Sequence, residues 1–145
     1  MKNSPPLGSE FSQLDPAAFV VDPELIHALD AHSVSVPCKA ERVLFRQDEP
    51  AVGIFIVHKC PVMLSMMSQD GHSLLAVQAR PSSLLGLPGV IGNQPYAMSA
   101  TAGAGAKVSF VSRDDLTALM QSDPALSLKI LDLLAADVRG TRKTL

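Results

Sequence analysis

The sequence predicts a mainly β domain: a closed jelly-roll barrel with an N-terminal helix and two C-terminal helices. Two observations carry this expectation. Residues 33–110 break into short apolar runs bounded by Pro, Gly, Asp and Asn, the texture of many short strands with close turns rather than parallel βαβ units. The segments on either side instead repeat their apolar residues at helical spacing.

Each element follows from its residues. Residues 1–18 are rich in Ser, Pro and Gly without periodicity, and are expected to form a flexible arm; the folded domain is expected over residues 19–145. Asp22, Pro23 and Glu24 open a helix, with an oxygen to cap free N–H groups, a ring suited to the first turn and a carboxylate where the dipole favours it. Leu25, Ile26 and Leu29 then share one face. Residues 33–36 alternate as a half-buried strand does. Residues 42–45 and 53–57 form the next two strands, separated by Gln47-Asp48-Glu49-Pro50. Residues 62–67 and 73–77 flank Asp70-Gly71, a hairpin signal. Residues 96–102 and 107–111 read as the last strands, around Gly103-Ala104-Gly105.

Beyond them, Ser112 caps a helix that carries Asp114 and Asp115 in its first turn and Leu116, Leu119 and Met120 on one face. Asp123-Pro124 restarts a helix, whose stripe is Leu126, Ile130, Leu133, Leu134 and Val138; Gly140 is its expected stop or bend. The stripe serves either the domain's own core or a seam with a second copy.

Composition removes several function classes. At 145 residues the chain suits one domain with a core that needs no staples. With 47% hydrophobic and 18% charged residues, it is not a disordered chain. No apolar run reaches the ~18 residues that span a bilayer, and no apolar stretch follows the N-terminus as a secretory signal requires. A cytoplasmic protein without membrane contact is therefore expected. A net charge of −2 argues against a nucleic-acid binder, the only basic cluster being Arg139, Arg142 and Lys143. Cys38 and Cys60 form no CxxC, and His58 with Cys60 supplies two metal ligands where a site needs more. Ser65, Ser99 and Ser109 lie near no His–Asp pair along the chain, and no HxH pattern is present, so no catalytic residue and no enzyme activity are expected.

Three blocks, "ERVLFRQDEPAVGIFIVHKCPVMLSM" over residues 41–66, "LLGLPGVIGNQPYAMSATA" over 84–102 and "VSFVSRDDLTALMQSDPALSLKIL" over 108–131, occur in one order. Together they resemble the cyclic-nucleotide-binding domain of the catabolite-activator and fumarate-nitrate-regulator superfamily. The resemblance covers residues 19–145 and implies a double-stranded β-helix in which residues 84–102 hold the phosphate-binding cassette. In that family the cassette carries Gly-Glu, whose Glu takes the ribose hydroxyl, and Arg-Ser/Thr-Ala, whose Arg neutralises the cyclic phosphate. Here Gly86 is followed by Leu87, and Tyr96-Ala97-Met98 aligns with the Arg-containing stretch. Residues 81–105 contain no Arg, Lys, Asp or Glu. A phosphodiester buried against Leu and Tyr is left unpaired, which is very costly.

The resemblance places a ligand pocket at Leu85, Gly86, Leu87, Pro88, Gly89, Val90, Pro95, Tyr96, Ala97, Met98 and Ser99, joined by Val62 and Leu64, with Thr141 where the family's long helix offers a hydroxyl. Tyr96 either donates a hydrogen bond at the Arg position or plugs the pocket. The expected function is a small-molecule-sensing module that does not bind cAMP or cGMP in the usual way and signals through its C-terminal helix, with an effector of unknown identity or none. The alternative is the sensor portion of a transcription regulator whose DNA-binding helix-turn-helix is absent from this chain, which would itself bind no nucleic acid. No cofactor is expected: an iron–sulfur cluster needs clustered cysteines, and His27, His32, His58 and His72 are scattered. A homodimer would form through the C-terminal helix.

Overall fold

The structure, a computed structural model, describes residues 15–144, with side chains described over residues 15–135. It begins with a 3-10 turn, Pro16–Phe19, closed by the Asp15 carboxylate, which accepts the Ala17 N–H at 2.9 Å. The boundary expected at residue 18 thus falls inside this turn, while residues 1–14 of the expected arm lie outside the described residues. Helix α1 is Pro23–Asp30, capped by Asp22, which accepts the Glu24 N–H at 2.8 Å. The strands β1 (Val34–Val36), β2 (Arg42–Phe45), β3 (Gly53–Lys59), β4 (Val62–Met67), β5 (Ser73–Gln78) and β6 (Ser83–Leu85) follow. A short helix α2 (Leu87–Gly92) precedes β7 (Ser99–Ala102) and β8 (Lys107–Ser112), and helices α3 (Arg113–Ser122) and α4 (Pro124–Thr144) end the chain. Ser112 caps α3 by accepting the Asp115 N–H.

The strands form two antiparallel four-stranded sheets, ordered β1-β8-β3-β6 and β2-β7-β4-β5. This is the jelly roll the turn spacing predicts. Phe45 of β2 meets Phe55 of β3 at a ring-centroid distance of 5.4 Å, which brings aromatic rings of the two sheets together in the barrel interior. Strand β3 is apolar without alternation because it is buried on both faces: Ile54, Phe55, Ile56 and Val57 are all buried. Leu25 and Leu29 of α1, Leu116 of α3, and Leu126 and Ile130 of α4 belong to the same core as β3. Lys129 of α4 reaches both Asp22 and Glu24 at the start of α1, at 3.0 and 3.2 Å. The pair is exposed, so it orients the helices more than it stabilises them.

Four local expectations change. The segment 33–36 is not half-buried: Val34 is 62% exposed and Ser35 exposed, because β1 is an edge strand paired only with β8. Strand β6 adds to the expected strands: it is three buried residues, too short to show alternation, between Pro81-Ser82 and Gly86. The strand expected over residues 96–102 begins at Ser99, because the Tyr96 backbone is engaged elsewhere: its N–H donates to Glu49 and its carbonyl accepts from Asp48. Helix α4 continues past Gly140 to Thr144; a glycine inside a helix costs only about 1 kcal/mol relative to alanine and need not end it.

Gly53 sits where β3 presses on β8. A Cβ there would lie 2.5 Å from the Val111 carbonyl oxygen and against the Phe110 ring, and the backbone cannot yield as a side chain would. Gly53→Ala is therefore expected to destabilise the domain by about 1–3 kcal/mol, read as a lower urea midpoint at unchanged slope.

Candidate functional site

The cassette segment is built around one side chain. Strand β6 ends at Leu85, and Gly86 turns the chain with φ +91°, a conformation that side chains rarely adopt. Helix α2 then buries Leu87, Gly89 and Val90 against the barrel, while Pro88 faces solvent. The helix ends at Asn93 in the left-handed conformation, and Pro95 bridges to Pro50 of the turn between β2 and β3.

Tyr96 follows, only 3% exposed. Its ring stacks on Phe45 with centroids 4.2 Å apart and planes 25° apart. Its hydroxyl donates to the Gly53 carbonyl at 2.7 Å and accepts the Gly53 N–H at 3.3 Å. A Cβ on Gly86 would lie 2.9 Å from the Tyr96 ring, so the ring occupies the space directly beside that glycine. Burial raises the Tyr96 phenol above its ordinary range; hydrogen bonds at Gly53 and Val52 offset this in part, and the Glu49 charge adds to it.

Of the expected pocket, Leu85, Leu87, Val90 and Tyr96 belong to one buried core. Val62 and Leu64 are in that core as well, both fully buried on β4. Ala97 is exposed and Met98 half-buried. Ser99 spends its hydroxyl on the Gln47 N–H at 2.8 Å, holding the turn after β2. The side chain of Thr141 lies outside the described residues. A cleft of about 270 Å³ beside Tyr96 is lined by Leu44, Phe45, Glu49, Pro50, Val52 and Tyr96 itself. Its carboxylate, Glu49, has the wrong sign for a phosphate. Phe45, Glu49 and Gly53 escaped sequence reasoning as site residues. The usable signal was Gly53 opening a run of otherwise large apolar residues, which marks a close approach.

A second polar cluster corrects the sequence reading of Ser109. The His58 Nε2 atom lies 2.9 Å from the Ser109 hydroxyl and 3.0 Å from the Asp30 carboxylate. The fold thus brings together a Ser, a His and an Asp that are far apart along the chain. Both partners meet the same ring nitrogen, whereas a hydrolytic triad uses one nitrogen for the serine and the other for the carboxylate. Burial pushes the Asp30 carboxyl up, but Ser33, Ser109 and His58 outweigh that and hold it below its ordinary value. The cluster fastens α1 to β3 and β8. Among the described residues, no three His, Cys, Asp or Glu side chains are grouped to hold a metal, and no helix is long and apolar enough to cross a membrane.

The family model of the cyclic nucleotide-binding domain matches residues 35–123. The CRP-like cAMP-activated global transcriptional regulator of Mycobacterium tuberculosis is 26% identical over 125 residues, covering 86% of this chain and 56% of that protein. The chain therefore spans about half the length of the curated relatives it matches. Among solved structures, the N-terminal domain of a transcriptional regulator from Streptomyces coelicolor superposes with a TM-score of 0.67 at 23% identity, over 89% of this chain and 92% of that one. The Thermus thermophilus catabolite activator protein gives 0.69 at 19% identity, over 88% and 60%. At such identities these likenesses speak to the fold, which is the same jelly roll.

Removing the phenol hydroxyl tests the plug. Tyr96→Phe is expected to cost about 1 kcal/mol by losing the bond to Gly53. A phenol raised in the folded state contributes stability that is complete below pH ~10 and fades as pH climbs through the folded value. Thermal melts from pH 7 to 11 should show this alkaline decline in the parent and a smaller one in Tyr96→Phe.

Proposed function

Because the chain belongs to the cyclic nucleotide-binding domain family, we propose that it is a sensor module whose cassette no longer holds a cyclic nucleotide phosphate and instead takes a neutral small molecule or none. The observation that carries this reading is Tyr96, aligned with the family's Arg yet buried on Phe45 and bonded to Gly53. Two further facts support it. Leu87, at the Glu position, is buried in the core, and residues 81–105 carry no charged side chain. The nearest ionisable group lining the cleft is Glu49, which repels a phosphate. A buried phosphodiester would meet neither a cation nor a ribose acceptor.

The module acts as a non-enzymatic, cytoplasmic regulator, and α4 is its output. Leu128 and Leu131 on α4 are 63% and 53% exposed, an apolar surface suited to a second copy. The chain's coverage of 56% of its curated relative favours a second reading, the sensor portion of a longer transcription regulator.

Isothermal titration with cAMP and with cGMP is expected to show no micromolar binding; such binding by either would overturn the reading. The double variant Tyr96→Arg plus Leu87→Glu is expected to acquire measurable affinity, since it restores the bidentate cation and the ribose acceptor. Sedimentation should show self-association that Leu131→Glu weakens; an unchanged monomer in both proteins would rule out the α4 seam.

A further inference from the structure

A groove of about 360 Å³ lies between β1 and β2, adjoining the cleft beside Tyr96 through Leu44 and Val52. Most of its lining side chains are apolar, with the exposed Val34, Val43 and Val52 and the more buried Phe55 and Phe110 among them, beside Ser35 and Arg42. The three valines are 62%, 41% and 60% exposed, so this groove is open apolar surface rather than closed core. One cation stands at it. Arg42 is exposed, donates to the Pro37 carbonyl at 3.2 Å, and has no ion-pair partner among the described residues. A guanidinium has five N–H donors in a fork, so most remain available to a carboxylate.

We propose that this groove binds a small apolar monocarboxylate, its hydrocarbon body on Phe55 and Phe110 and its carboxylate on Arg42. The volume is at the small end of the ~300–1,000 Å³ typical of ligand sites, which suits one or two rings. An extended peptide added to the sheet edge fits less well. Strand β1 offers only three residues of edge, and β2 carries a register shift between Val43 and Phe45 that breaks a regular ladder. No residue of 84–102 lines this groove, although it shares Leu44 and Val52 with the cleft beside Tyr96.

The test is an amide-resolved NMR titration of the full chain with 1-naphthaleneacetate up to about 1 mM, a concentration that detects weak binding. Saturable shifts are expected to centre on Val34, Val43, Val52 and Phe110. Arg42→Gln, at an exposed position, should weaken that binding about tenfold while leaving the neutral analogue 2-(1-naphthyl)ethanol unaffected, since only the acid uses the guanidinium. Val52→Trp, filling the rim, should abolish both. The spectrum of each free variant reports its folding. Absence of saturable shifts, as expected of a groove that takes a peptide, shifts centred on Leu87 and Tyr96, or equal affinity of the parent and Arg42→Gln for the acid would each overturn the proposal.

Discussion

The hydrogen bond from the Tyr96 phenol to the Gly53 carbonyl ties together parts of the barrel that share no strand pairing. Gly53 begins β3 in one sheet, while Phe45, on which the ring stacks, ends β2 in the other. The Tyr96 backbone meets Asp48 and Glu49 in the turn between them. Gly86, whose missing side chain makes room for the ring, starts the cassette helix. A single buried aromatic thereby contacts both sheets, the turn between β2 and β3 and the start of α2.

Polar groups are placed economically elsewhere. Asp30, His58 and Ser109 hold the first helix to the sheet on which it lies. Asp22 serves both as a helix cap and as a partner for Lys129 on the last long helix. Exposed valines, Val34, Val43 and Val52, gather where β1 and β2 leave their edges unpaired. Residues 84–102 bury their tyrosine, whereas the groove between β1 and β2 is lined with valine and bordered by an arginine.

Much of the fold was legible along the chain because its signals are local. Asp22-Pro23, Ser112 and Asp123-Pro124 announce helices through capping chemistry that acts within three residues. Asp70-Gly71 announces the hairpin in the same way, with Gly71 at φ +88°. Strand β6 was not legible, since Ser83-Leu84-Leu85 is too short to carry a period, and its identity comes from pairing with β3. The resemblance pointed to residues 84–102 as a segment, while the groups that Tyr96 meets, Phe45, Glu49 and Gly53, lie some forty or more residues earlier. Likewise Ser109 stood apart from any His–Asp pair until β3 and β8 were laid side by side in register.

The order of residues settled the jelly-roll class, the helix starts and the loss of charge from residues 81–105, because each depends on side-chain type and short-range spacing. Folding decided where the neutral side chains came to lie. Whether Tyr96 would reach toward a ligand or fill the space itself depended on where Gly53 and Phe45 came to rest, and they bind its hydroxyl and its ring from inside the barrel. A neutral side chain can be read from one dimension; whether it lines a cavity or occludes it is a question of volume, which exists only once the two sheets have closed.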